Sequence, residues 1–223
     1  MDRITKFPLL DETGQEIVSS LDEINNSMGD YIASNNPYYA YLEDRKIGTL
    51  VSTEITKVRD RGLYMRESLI AVDLPKCTNV NRAAFYYCTA LETVNLPECT
   101  NIDGDAFCFC KKLQNVNIPK CTIIGGYTFQ FCKSLKKIDL NVVEQISDSV
   151  FEGCELLECI KILNTETVCV LTSKYAFDNT PIENGTGYIY VPDALVNDYK
   201  KATNWSVFAN QIKPLSEYVE SEA

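Results

Sequence analysis

Ten cysteines and no histidine set the limits of what chemistry this chain can do. A cysteine nucleophile needs a neighbour that lowers its pKa, usually His, Lys or Arg. Without histidine, the Ser-His-Asp triad, the Cys-His dyad and histidine metal ligation are all excluded. Cys108-Phe109-Cys110 is a lone C-x-C, and no C-x-x-C pair accompanies it, which is too sparse for a zinc site. Ile123-Ile124-Gly125-Gly126 is not a phosphate-cradling G-x-x-x-x-G-K-S/T loop. The expectation is therefore no catalytic residue, no cofactor, no metal and no enzyme.

The cysteine positions carry a different message. Cys77, Cys88, Cys99, Cys110, Cys121 and Cys132 recur every 11 residues, and Cys154 keeps the phase with Val143 in the intervening place. A disulfide framework has no reason to be periodic, whereas a repeat does. On a 22-residue period the units are 69–90, 91–112, 113–134 and 135–156. Leu69, Leu91, Leu113, Leu135 and Leu157 form one column, and Val72, Val94, Val116, Ile138 and Ile160 the next. Leu74, Leu96, Ile118, Leu140 and Ile162 follow, then Pro75, Pro97 and Pro119, with Asn141 breaking that set. Val80, Ile102, Ile124 and Ile146 precede Phe85, Phe107, Phe129 and Phe151, and each unit closes on Cys88, Cys110, Cys132 or Cys154. The carboxylates of Asp103 and Asp105 have Asn81 and Gly125 among their column mates, so they read as a solvated turn.

Residues two apart, such as Val72 and Leu74, share one face of a short strand. The proline after them has no N–H for a ladder and ends the strand. One strand per 22 residues implies parallel pairing of successive coils about 4.8 Å apart, with like residues stacked on like. The fold class expected is thus a repeat solenoid with one short parallel strand per coil. Residues 47–68 read as a degenerate first coil, through Leu50, Ile55, Val58 and Leu63. Phe177 comes four residues late and marks a small insertion, and Gly187-Tyr-Ile-Tyr-Val-Pro192 repeats the strand-then-proline pattern to close the stack. The organisation expected is a helical segment over 1–46, a solenoid of about five to six coils over 47–182, and a closing strand with a helical cap over 183–223.

This pattern resembles the BspA-like leucine-rich repeats, whose unit runs Leu-x-x-Val-x-Leu-Pro, then Ile, Ala-Phe and Cys-x-x-Leu. Ala84-Phe85, Ala106-Phe107 and Cys88-Thr-Ala-Leu91 match it, while Thr128 and Val150 replace the alanine. The resemblance covers about residues 47–218. It implies a right-handed leucine-rich-repeat-like stack used for binding, commonly at microbial surfaces, with no single ligand.

Solenoids expose apolar ends that need capping. On the C-terminal side Asp193 is placed to N-cap a helix with Leu195, Tyr199 and Ala202 on one face, continued by Trp205, Phe208 and Ile212. That reads as a cap, the alternative being a Trp-centred ligand pocket. On the N-terminal side Asp11 to Asp30 reads as a helix. Ile17, Leu21, Ile24 and Met28 form a two-heptad stripe, which serves either as a cap or as an oligomerisation or anchoring helix.

What remains is surface. Asp73, Asn95, Asn117, Asp139 and Lys161 form an outward column, either a polar stripe that hydrogen-bonds a protein or glycan or a ladder that only keeps the sheet wet. Beside it Lys76, Glu98 and Lys120 alternate in sign, as cross-strand pairs do. Tyr87, Phe109 and Phe131, each just before a column cysteine, form either an exposed aromatic stripe or a buried corner. The formal charge of −10 disfavours nucleic acid and anionic bilayers, and no apolar run reaches the roughly 18 residues of a membrane span. No secretion signal is expected at Met1 onward, so the chain reads as cytoplasmic or virion-borne, reaching a cell surface only by a route not encoded in it. Periodic, buried cysteines suggest free thiols and a reducing setting. Together these features favour a recognition or adhesion module, with a phage virion or tail as one setting. The alternative is a structural or assembly protein whose only contact is the N-terminal helix.

Overall fold

A computed structural model describes residues 48–220, together with the backbone of two strands, β1 (Leu9–Leu10) and β2 (Glu16–Val18), which pair antiparallel. From residue 48 the chain winds into a solenoid whose coils each lay down a longer and a shorter strand. The first six coils are β3 (Thr49–Val51) with β4 (Lys57–Val58), β5 (Ala71–Asp73) with β6 (Asn79–Val80), and β7 (Thr93–Asn95) with β8 (Asn101–Ile102). Then come β9 (Asn115–Asn117) with β10 (Ile123–Ile124), β11 (Lys137–Leu140) with β12 (Gln145–Ile146), and β13 (Cys159–Ile162) with β14 (Val170–Leu171). Finally β15 (Tyr188–Val191) and β16 (Ile212–Pro214) extend the line of longer strands. All these pairings are parallel, and like residues face like: Val72 lies opposite Val94, Val94 opposite Val116, and Ile138 opposite Ile160.

Three expectations are corrected. Each coil carries two strands rather than one, because the short segments at Val80, Ile102, Ile124 and Ile146 also form a continuous six-stranded sheet, β14-β12-β10-β8-β6-β4. A threonine ladder beside it supports the pairing. The hydroxyls of Thr78, Thr100 and Thr122 donate to the carbonyls of Thr56, Thr78 and Thr100 at 3.2, 3.3 and 3.1 Å. Residues 48–171 wind into six coils, within the five to six expected over 47–182, and β15 and β16 bring the stack to about eight turns. Gly187-Tyr-Ile-Tyr-Val-Pro192 does not close it, because β16 adds one more strand with Ile212 opposite Ile189. The expected N-terminal helix gains no support. Ile17 lies in β2, and Leu21, Ile24 and Met28 fall outside the described residues.

The core is a set of ladders. Phe85, Phe107, Phe129, Phe151 and Phe177 stack with centroids 5.0, 5.6, 5.6 and 5.7 Å apart and planes within 7° of parallel. Phe177 keeps its place despite the four extra residues, which are taken up around β14. Thr128, standing where the repeat prefers alanine, is fully buried, but its hydroxyl bonds the carbonyls of Gly125 at 2.7 Å and Asp103 at 3.2 Å. A buried hydroxyl so satisfied carries little penalty. Val150 in the same column is simply apolar and buried.

The C-terminal cap is built from short turns. These are a 3-10 turn at Asp193–Leu195, one α-helical turn, α1 (Val196–Tyr199), and a 3-10 turn at Trp205–Phe208. Asp193 is not the N-cap expected, since Pro192 precedes the turn and the Asp193 carboxylate instead accepts the Ser216 N–H at 3.1 Å. Ile212 is strand rather than helix face. The cap satisfies the last coil directly. The Trp205 indole donates to the Cys169 carbonyl at 2.6 Å, the Tyr199 hydroxyl accepts the Cys169 N–H at 2.9 Å, and the Asn204 amide donates to the Leu171 carbonyl at 2.8 Å. Trp205 is 1% exposed and packs on Phe177 and Tyr199, so it is a plug in the core and not a pocket wall.

Candidate functional site

Three groups of residues follow from this winding: the outward face of the longer strands, the corner after the second strand, and the interior thiol columns.

The thiols are free and nearly all buried. Cys88, Cys110, Cys132 and Cys154 donate to the carbonyls of Leu63, Phe85, Phe107 and Phe129 at 3.1 to 3.2 Å, one repeat back in each case. Cys77, Cys99 and Cys121 donate to the carbonyls two residues on, at 3.2 to 3.3 Å. Each column is thus a small apolar filler with its weak donor satisfied. Burial pushes Cys77 up to about 11 and Cys121 up to about 12, the opposite of what a nucleophile requires. Cys159 is the exception in exposure, half-buried on β13. Among the described residues no group of three or more Cys, Asp or Glu is arranged to hold a metal ion. Asp103 and Asp105 do not act as a pair: the first accepts the Asn101 amide at 2.7 Å, the second the Arg82 guanidinium at 3.2 Å.

The corner explains the aromatic column. Tyr87, Phe109 and Phe131 all hold left-handed backbone, with φ of 61°, 62° and 58°. That conformation costs about 1–2 kcal/mol per non-glycine residue. It turns each N–H along the stack, where it donates to Cys108, Gln130 and Glu152 carbonyls at 2.8, 2.9 and 2.8 Å. The rings end half-buried, between the two outcomes open from sequence; Tyr87 packs on Phe109 at 5.4 Å with the planes tilted 45°, and Phe109 stacks on Phe131 at 4.8 Å. Gly153 ends the column. A Cβ there would lie 2.4 Å from Phe131 Cδ1, so the ring occupies the space a side chain would need.

The outward face divides in two. Asn117 donates to Asn95 at 2.6 Å and Asn95 to Asp73 at 2.7 Å, a continuous side-chain ladder over β5, β7 and β9. Asp139 and Lys161 do not join it and instead pair with each other at 2.8 Å. The boundary falls where β9 and β11 are not hydrogen-bonded neighbours, so the longer strands form two four-stranded sheets, β3-β5-β7-β9 and β11-β13-β15-β16. It coincides with the replacement of the column proline by Asn141. Of the alternating charges, Lys120 meets Glu98 at 2.7 Å while Lys76 meets Glu54 at 3.6 Å. Exposed pairs of this kind contribute about 0–1 kcal/mol each.

A group missed in the sequence lies on the second sheet. Tyr188 and Tyr190 point outward from β15, and Lys213 approaches the Tyr188 ring at 5.8 Å. The alternation of Tyr188-Ile189-Tyr190-Val191 was the available signal. Burial pulls Lys161 down, but its bond to Asp139 outweighs that and leaves it raised and charged.

Comparison with known proteins agrees with this architecture. The model of the BspA-type leucine-rich repeat region matches residues 56–186 with six copies. No curated protein matches the chain. Among solved structures, a leucine-rich repeat protein of T. pallidum is 24% identical, over 53% of this chain and 73% of its own, with a TM-score of 0.47. A leucine-rich repeat protein of Bacteroides ovatus is 18% identical over 74% of this chain, with a TM-score of 0.43. A leucine-rich cell surface protein of Faecalibacterium prausnitzii is 21% identical over 50% of this chain, with a TM-score of 0.30. The chain spans 44% of the length of each of the last two. The assignment rests on the repeat match and not on these likenesses.

Proposed function

The chain belongs to the BspA-type leucine-rich repeat family, and from that premise we propose that it is a non-enzymatic recognition module binding an extended protein segment on the outward face of β3-β5-β7-β9. The observation that carries this is the Asp73-Asn95-Asn117 ladder. Each amide is already held by its neighbour, so a partner that bonds to the ladder freezes few rotamers on this side. Each asparagine keeps a second N–H for a partner. The flanking outward residues, Thr49, Ala71 and Thr93, are small and leave the face flat. Placement in a phage particle and assembly through residues 1–46 find no support in the fold or the likenesses.

Selection of binders from a random displayed-peptide library, followed by affinity measurement, tests this. Replacing the ladder together, Asp73→Ala, Asn95→Ala and Asn117→Ala, is expected to weaken most selected peptides by about tenfold or more, at roughly 1 kcal/mol per hydrogen bond. Their thermal stability should stay close to wild type, since the three side chains face solvent. Binding unchanged in the triple variant would overturn the assignment, and a parallel glycan array bound through the same three residues, where no peptide is selected, would replace the partner class.

A further inference from the structure

We infer that the outward face of β11-β13-β15-β16 is a docking surface for an extended acidic peptide carrying an aromatic residue, and that the segment Leu215–Glu220 of this chain occupies it. The inference rests on its own contacts and not on binding at the Asp73-Asn95-Asn117 ladder.

Pro214 ends β16, and a 3-10 turn at Leu215–Glu217 reverses the chain, held by the Tyr218 N–H on the Leu215 carbonyl at 3.0 Å and by Ser216 on Asp193. The segment then crosses the sheet strand by strand. Tyr218 packs edge-on against Tyr190 of β15 at 5.0 Å, and the Lys161 ammonium of β13 lies 4.6 Å over the Tyr218 ring. The Glu220 carboxylate reaches Lys137 of β11 at 3.3 Å. Val219, between them, is 82% exposed. Residues 218 and 220 inward with 219 outward is the alternation of an extended chain.

The charge distribution names the partner. The outward positions of β11, β13, β15 and β16 carry Lys137, Lys161 and Lys213 against the single carboxylate Asp139, in a chain of net charge −10. Those of β3, β5, β7 and β9 carry no lysine. An aromatic ring two residues before a carboxylate places the ring over Lys161 and the acid at Lys137. The segment Tyr218-Val219-Glu220 is a built-in copy of that pattern. It is attached by side chains, with no backbone hydrogen bond from Val219 or Glu220 to the sheet among the described residues, so a peptide of the same chemistry can replace it.

The test uses the whole chain and a fluorescein-labelled peptide of sequence Leu-Ser-Glu-Tyr-Val-Glu-Ser-Glu-Ala, read by polarisation. The Tyr218→Ala/Glu220→Gln chain, its face vacated, is expected to bind the peptide about tenfold more tightly than wild type, where the tethered segment competes. Adding Lys161→Gln and Lys137→Gln to that variant should abolish the gain, and raising salt should weaken it. Wild type and variant binding the peptide equally, neither binding it, or a gain that survives loss of both lysines would each overturn the inference.

Discussion

Replacing Phe129 with alanine is expected to lower the unfolding free energy by about 3–5 kcal/mol. Phe129 is fully buried, and its ring is the middle of five, 5.6 Å from Phe107 and 5.6 Å from Phe151 with planes 5° and 7° from parallel. Truncation leaves a cavity that rigid neighbouring coils cannot collapse, and it removes two ring contacts worth about 0.5–1.5 kcal/mol each beyond area. Because each coil touches only its neighbours, the damage is local at first. Urea denaturation of the variant should show a lowered midpoint and, where the stack divides, a shallower or biphasic transition. A shift below about 1 kcal/mol, the size of a typical surface change, would mean that the phenylalanines do not form one continuous ladder.

The second large effect is on thiol reactivity. A thiol at its ordinary pKa of 9.0 is about one-tenth thiolate at pH 8, whereas one pushed up to about 11 is roughly one-thousandth thiolate. Burial holds Cys77 and Cys159 near 11, and Cys88, Cys121 and Cys169 near 12. Cys110 and Cys132 are likewise pushed well above the ordinary thiol value by burial. Ionisation alone therefore slows alkylation about a hundredfold to a thousandfold, and burial of the sulfur adds to that. Iodoacetamide on the folded chain should label Cys159 first and leave the ladder cysteines intact, while unfolding in guanidinium releases ten reactive thiols. The sign for stability follows. A thiol whose folded pKa is raised favours the folded state below its ordinary value, and that contribution disappears as pH climbs past about 9 toward the folded value. Alkaline unfolding beginning above pH 9 is the expected result, read by circular dichroism. Rapid labelling of Cys88 or Cys110 in the folded chain would contradict the packing role.

The parts legible in the sequence are those that repeat. Leu91, Val94, Phe107 and Cys110 each stand in a column whose spacing announces their burial, because a ladder requires the same residue type at the same phase. The second sheet was hidden because strands of two residues such as Asn79–Val80 carry no alternation to detect. The corner was hidden because φ is not a residue type. Tyr87, Phe109 and Phe131 pay for left-handed backbone with bonds to the next coil that only the winding reveals. Thr128 reads as a departure until its hydroxyl is seen bonded to Gly125 and Asp103. The division of the outward column escaped as well, since Asn117 and Asp139 look equivalent by position although they lie on separate sheets. Tyr218 over Lys161 and Glu220 on Lys137 belong to no period, and contacts between residues so far apart in the chain leave no local trace. Asp193 shows the limit of a local rule: a good capping residue ahead of a helical stretch found a better partner in Ser216.

The flat face proposed for recognition exists only if coils stack in register, backbone on backbone, through the whole repeat. Amide hydrogen exchange resolved by residue tests this most directly. The N–H groups of Phe85, Phe107, Phe129 and Phe151 donate to carbonyls of the next coil at 2.8 to 2.9 Å, so slow exchange should recur at that phase every 22 residues. Protection without that period, or confined to one or two coils while the others exchange freely, would contradict it.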